Sequence, residues 1–279
     1  MYFTNLRQLV ETMYAENGNT KVTITAFSFG AQISLYFLNR IVSQEWKDTY
    51  IHSYVTLGGS WYGGVGIIFT LLSGPFQPEF LELQIGIPRV VSLYRNYPSF
   101  YSTLPRASIW GDTILIRTPN RNYTANDYQQ LFTDARFPES GYSQFLDSES
   151  GIDLSAPNVP TYCFYGSVPQ QTPTSFTYGN GFTMGPTGFT HGEGDGRINQ
   201  EDLEICLQWE GANGGYTFNS SVFPGVNHPG IIRNEAVLQT VESIVRIPDT
   251  GHAVSPLPSP WAYLIAMLVS VISFVKTMF

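Results

Sequence analysis

Ser28 stands in Ala26-Phe27-Ser28-Phe29-Gly30, where the β-rich run TITAF gives way to a helical one. Small residues two before and two after a serine allow a strand-to-helix turn tight enough to present the hydroxyl as a nucleophile. A serine in such a turn also serves as a plain helix cap, so the chemistry needs an acid and then a histidine further along. Of the four histidines, His52 comes too early and precedes a strand, His191 precedes the best acid candidate, and His252 lies in the C-terminal spacer. His228, in PGVNHPG, follows the β-like SVF and precedes the last helix, where an imidazole projects over a sheet edge. The acid is Asp195: Gly194 and Gly196 leave its carboxylate free to point at an imidazole, although a Gly-flanked Asp alone is an ordinary turn residue. The order Ser28, Asp195, His228 fits covalent acyl transfer, with Phe29 N–H as oxyanion donor. That chemistry requires no cofactor and no metal.

The elements that must position these groups follow from pattern. The spacing predicts a helix over 2–15, a strand over 21–25 entering the turn, a helix over 31–39 leaving it, and a buried strand over 54–57. That strand runs into GGSWYGGV, whose glycines permit close backbone approach above a sheet edge. Strand, helix, strand is the parallel α/β signature. From 74 to 158 the regularity gives way to aromatics and prolines, as in an inserted cap. It resumes with a strand over 159–165, then a loop rich in Gly, Thr and Pro over 167–194, and a final helix over 235–245. The expected organisation is 1–73 core with the serine turn, 74–158 cap, 159–248 core with acid and base, and 249–279 spacer and tail.

Composition narrows the function. The chain of 279 residues is 43% hydrophobic, enough for one sizeable core and a smaller subdomain. A net charge of −8 with no Lys or Arg run speaks against nucleic-acid binding. The abundance of aromatics, with 19 Phe and 17 Tyr, points to broad apolar binding surfaces beside a packed core. The two cysteines, Cys163 and Cys206, lack any zinc or redox spacing and read as either one disulfide or two buried thiols. Sequons at Asn122 and Asn219 favour the secretory pathway.

From Ala253 to Val275 no residue is charged, and Trp261 to Val275 is almost wholly apolar. As a helix it reaches about 22 Å, short of a hydrocarbon core of roughly 30 Å. The small residues Asp249, Thr250 and Gly251 with the spacer HAVSPLPSP match a glycosylphosphatidylinositol-anchor signal, and a short transmembrane helix is the other reading. The first 20 residues carry no signal-peptide pattern, so the expectation is a chain that lacks its natural N-terminus.

Several stretches, in one order, resemble the lecithin-cholesterol acyltransferase and lysosomal phospholipase A/transacylase family, especially its lysosomal branch: LYFLNR (35–40), WKDTYI (46–51), RTPNRNYTANDY (117–128), CFYG (163–166), EGDGRIN (193–199) and LEICLQW (203–209). The resemblance implies an α/β-hydrolase with a lipid-binding cap, a triad of Ser28, Asp195 and His228, and Cys163 paired with Cys206. It also implies a glycerophospholipid acyl donor, water or a lipid alcohol as acceptor, work at a membrane or lipoprotein surface, and a lysosomal or extracellular location. Trp61, Tyr62 and cap aromatics such as Phe76, Phe80, Tyr94 and Tyr101 are candidates for acyl tracks. The chain departs from the family's pattern at Phe27 and Phe29, where His and Met are usual, in the loop 59–64, and at Arg197-Ile198 in place of Thr-Val. Only 27 residues precede Ser28, so the loop giving a second oxyanion donor is expected outside the chain. The competing expectation is therefore a catalytically impaired, membrane-tethered lipid-binding homologue.

Overall fold

The computed structural model describes residues 1–75 and 86–246. Phe76 and Phe80, His252, and the spacer and tail expected over 249–279 lie outside the described residues. Among the described residues, no helix is long and apolar enough to cross a membrane.

The main sheet has four strands in the order β1 (Val22–Phe27), β2 (Ile51–Leu57), β5 (Thr161–Ser167) and β8 (Phe218–Pro224), all parallel. Parallel strands covered on both faces read as continuous apolar runs rather than alternating ones, and β2 is buried at six of its seven positions. Helix α1 (Tyr2–Glu16) lays Phe3, Leu6, Val10 and Met13 against the main core, as their three-to-four spacing requires. Helix α2 (Phe29–Tyr36) leaves β1 and runs into a π turn over Phe37–Ile41. Helix α3 (Gln44–Tyr50) is capped by Ser43 Oγ, which accepts from Trp46 N, and leads into β2. The last helix, Glu235–Val245, is capped by Asn234 and packs Val237 and Val241 with Val55, Leu57 and Phe164 on the sheet.

A second sheet, in the order β4 (Asn122–Tyr123), β3 (Ile116–Arg117), β6 (Thr172–Thr177) and β7 (Gly188–Gly192), unites cap and post-β5 residues. The segment 167–194, expected as a loop, contains the β6 and β7 hairpin. Phe176 and Tyr178 from it pack in one apolar cluster with Val65, Leu71, Tyr101, Tyr128 and Phe132. This cluster is distinct from the one that α1 and α2 form with the main sheet. Burying aromatic rings of 150–250 Å² each gives such a small layer most of its stabilisation. Cys163 on β5 is disulfide-bonded to Cys206, fixing the chain after the acid loop to the centre of the sheet.

Candidate active site

Ser28 follows the last residue of β1 with φ 55° and ψ −129°, a left-handed backbone that a side-chain-bearing residue rarely adopts. The turn is held from both sides: Ser28 N–H donates to Leu57 O at 3.0 Å, and Ser28 O accepts from Ala31 N at 3.0 Å and Ser60 N at 3.3 Å. Such a strained strand-to-helix turn lifts the hydroxyl clear of the sheet.

The acid reaches the same sheet end by a detour. The chain leaves β5, makes the β6 and β7 hairpin, and returns so that Val168 N–H donates to Gly194 O at 2.7 Å. The hairpin is thus an excursion between a core strand and the acid that belongs to its end. Gly194 and Gly196 have φ of 146° and 90°, and a Cβ on Gly194 would lie 2.3 Å from Ile198 O. Asp195 Oδ1 accepts from Ile198 N at 2.8 Å and Arg197 N at 3.1 Å, which leaves Oδ2 for His228. The histidine loop leaves β8 through Gly225, whose N–H donates to Ser167 O, and His228 N–H donates to Asp195 O at 2.8 Å.

These supports bring the three side chains into line. His228 Nδ1 lies 2.6 Å from Asp195 Oδ2, and His228 Nε2 lies 2.9 Å from Ser28 Oγ. Asp195 and His228 are buried, whereas Ser28 is partly open. A carboxylate on Nδ1 favours the tautomer with its proton there, leaving Nε2 free to accept from the serine. Phe27 lies against the imidazole, ring centroids 4.8 Å apart, and covers that face of the ring. Phe29 begins α2, where the first N–H groups have no intrahelical partner.

A lecithin:cholesterol acyltransferase family model matches residues 1–152. The chain belongs to that family. Among its relatives, the phosphatidylcholine-sterol acyltransferase of Mus musculus is 31% identical over 271 residues, covering 93% of this chain and 59% of the relative. The lysosomal phospholipase A and acyltransferase of Mus musculus is 32% identical over 250 residues, covering 88% and 58%. This lecithin:cholesterol acyltransferase family chain therefore spans somewhat under three fifths of the curated relatives it matches. The solved Tle4-Tli4 complex superposes with a TM-score of 0.52 at 13% identity, covering 86% of this chain and 64% of that one, a likeness of fold alone. The fold is that of the α/β-hydrolases, with the mixed α/β layers and parallel sheet expected from the sequence.

Other sequence-singled residues fall in several places. His191 is exposed on β7, and His52 Nε2 contacts Ile244 O at 3.2 Å. Trp61 requires a correction: it is fully buried in the main core, edge-on to Trp209 at 5.0 Å, and is a packing residue rather than the wall of an acyl track. Its neighbour Gly59 has the Trp61 ring so close that a Cβ would sit 2.5 Å from it, which folds the indole under the loop. Tyr101 is likewise fully buried in the cap core, and Tyr94 packs against that core. Tyr62 is half-buried beside the main cluster. Asn122 and Asn219 are both exposed.

The structure gives the glycine run its specific contacts and brings in other residues that pattern did not mark. Gly58, at φ 56°, approaches so closely that a Cβ would lie 3.2 Å from His228 Nδ1 and 3.3 Å from Asp195 Oδ2. Gln32 on α2 donates to Trp61 O at 2.5 Å. Asn199 donates to Pro173 O and accepts from Val65 N, tying hairpin, acid loop and the helix Val65–Ser73 (α4) together. Asp202 is fully buried and accepts from the loop after β2. The glycine run signalled close approach in that loop, but nothing in NQEDLE separates Asp202 from an exposed residue of a helix start.

Proposed function

We infer that this chain carries an acyl-transfer centre of the serine type, acting on glycerophospholipid and passing a fatty acyl group to water or to a lipid alcohol. The observation that carries the reading is the continuous run from Asp195 through His228 to Ser28, on a turn strained as a nucleophile requires. His228 Nε2 takes the Ser28 proton as Oγ attacks the acyl carbonyl, and Asp195 stabilises the imidazolium that forms. The N–H of Phe29 faces the developing oxyanion. His228 then protonates the departing lysophospholipid oxygen, leaving an acyl-serine. In the second half water or an alcohol gives its proton to His228 and attacks the acyl carbonyl, and His228 passes that proton to Ser28 Oγ as the acyl–Oγ bond breaks. Water yields phospholipase A activity. A sterol or N-acylsphingosine yields transacylation, and the names of the two relatives, one with sterol and one with phospholipase A, support keeping both acceptors. Tyr62 is the remaining aromatic of the loop 58–64 placed to meet an acyl chain.

The disulfide and the two exposed sequons support work in the secretory pathway, lysosomal or extracellular, at a membrane or lipoprotein surface. The test is labelling by a fluorophosphonate, followed by fatty-acid release from phosphatidylcholine vesicles with and without cholesterol. Wild type should label, Ser28→Ala should not, His228→Ala should label at least a thousandfold more slowly by analogy with other triads, and His191→Ala should match wild type. Absence of labelling, or labelling that survives Ser28→Ala, rules the reading out.

A further inference from the structure

Asp202 has no place in the chemistry above, yet it is a fully buried carboxylate a few residues past the acid. Its oxygens face donors from one short loop. Oδ2 accepts from Ser60 Oγ at 3.1 Å, Trp61 N lies 3.2 Å from both oxygens, and Oδ1 accepts from Tyr62 N at 2.5 Å. The amides can only donate and the Ser60 hydroxyl is free to, so the set suits an ionised carboxylate. Burial nevertheless pushes the group up to about 6, the donors offsetting only part of the desolvation.

That loop touches the triad at two points. Gly58 at its start abuts His228 and Asp195, and Ser60 N–H holds the carbonyl of Ser28 itself. Further along, Gln32 binds Trp61 O, and Gly63 meets the cap so closely that a Cβ would lie 1.8 Å from Thr103 O. Among the described residues, no other side chain accepts from consecutive amides of this loop.

We propose that Asp202 is a positioning residue for the triad: its carboxylate gathers the amides of Trp61 and Tyr62 and the Ser60 hydroxyl, setting the loop that holds Gly58 against His228 and Ser60 N–H on Ser28. The inference rests on the acyl-transfer reading of that site. The titratable groups around the loop are His228 and Asp195 beside Gly58, Tyr62 within it, Arg106 in the cap near Tyr62, and Arg197, whose carbonyl meets Gly64. On its own side, Glu204 is bonded to Gln200 and Tyr165, and Glu201 is exposed.

The test compares Asp202→Asn and Asp202→Ser with wild type by the fluorophosphonate labelling rate constant per titrated Ser28, at pH 7.5 and pH 5. A merely structural role lowers the fraction of sites that can be titrated and leaves the rate per site alone. The proposal expects at least a tenfold loss of rate per site at pH 7.5 in both variants, narrowing at pH 5, where Asp202 of the wild type takes up its proton. Rates within twofold of wild type at pH 7.5 overturn it while leaving the acyl-transfer reading intact. An unlabelled wild type overturns both. Amide exchange on the wild type needs no variant: the N–H groups of Trp61 and Tyr62 should exchange slowly at pH 7.5, and fast exchange there also overturns the proposal.

Discussion

At the scale of the residue, two buried carboxylates in one loop region do opposite things. Asp195 meets two amides and a histidine whose other nitrogen lies 2.9 Å from Ser28 Oγ, whereas Asp202 meets only fixed donors. The second arrangement has a thermodynamic signature. Burial raises the Asp202 carboxyl from 3.8 to about 6 in the folded chain. The folded state therefore binds a proton that the unfolded state has released, so this residue's contribution to stability is greatest below pH 4 and is lost as pH rises through 6. Between pH 7.5 and 4.5 the wild type should gain on Asp202→Asn by about 2 kcal/mol, since each pKa unit is worth about 1.4. Thermal melts of both proteins across that range measure the difference, with other titrations cancelling. A gap that stays constant, or widens toward high pH, contradicts a buried ionised Asp202. A group that weakens the fold at neutral pH while organising the loop over the nucleophile belongs with activity more than with stability.

Among the elements, the disulfide decides how firmly the acid loop is fixed to the sheet. Cys163 lies in β5 between β2 and β8, and Cys206 lies 43 residues further on, beyond Asp195 and Asp202. Closing that loop in the unfolded chain is worth about 4 kcal/mol on the chain-entropy account, so Cys163→Ala with Cys206→Ala should lower Tm by roughly 8–16 °C. Calorimetry checks this, and an unchanged Tm would mean that the crosslink does not constrain the unfolded chain. Local pattern made most of the core elements legible. The final helix over 235–245 and the strands around Ser28 follow from apolar spacing and β-branched runs, and chain order singles out Ser28, Asp195 and His228, whose side chains lie in series at hydrogen-bond distance. The hairpin of β6 and β7 was not legible. Its first strand, TPTSFT, carries Pro173 where a ladder shift lies between Pro173 and Ser175, and its second is glycine-flanked with exposed Phe189. Proline and glycine mark a loop locally, and only pairing with β3 makes them a strand. Trp61 failed for the complementary reason: an aromatic among glycines reads as a binding surface, and the indole of Trp209, 148 residues away in sequence, is what makes it core.

For the whole molecule, the two sequons and the disulfide make one statement about compartment. Asn122 lies on β4, an outer strand of the cap sheet, and Asn219 on β8, an outer strand of the described main sheet, with both side chains exposed. Outer strands offer unpaired backbone to other chains, and bulky glycans there would cover edges that otherwise invite pairing. A disulfide in the centre of the sheet persists in the same oxidising route that glycosylates. Secreted from cells behind a supplied leader, the protein should shift to lower mass in two steps on limited digestion with an endoglycosidase. Asn122→Gln and Asn219→Gln should each remove one step, leaving fluorophosphonate labelling of Ser28 unchanged because neither residue contacts the triad. A product of one unaltered mass, before and after digestion, would argue that neither strand edge is glycosylated and that the sequons are accidents of sequence.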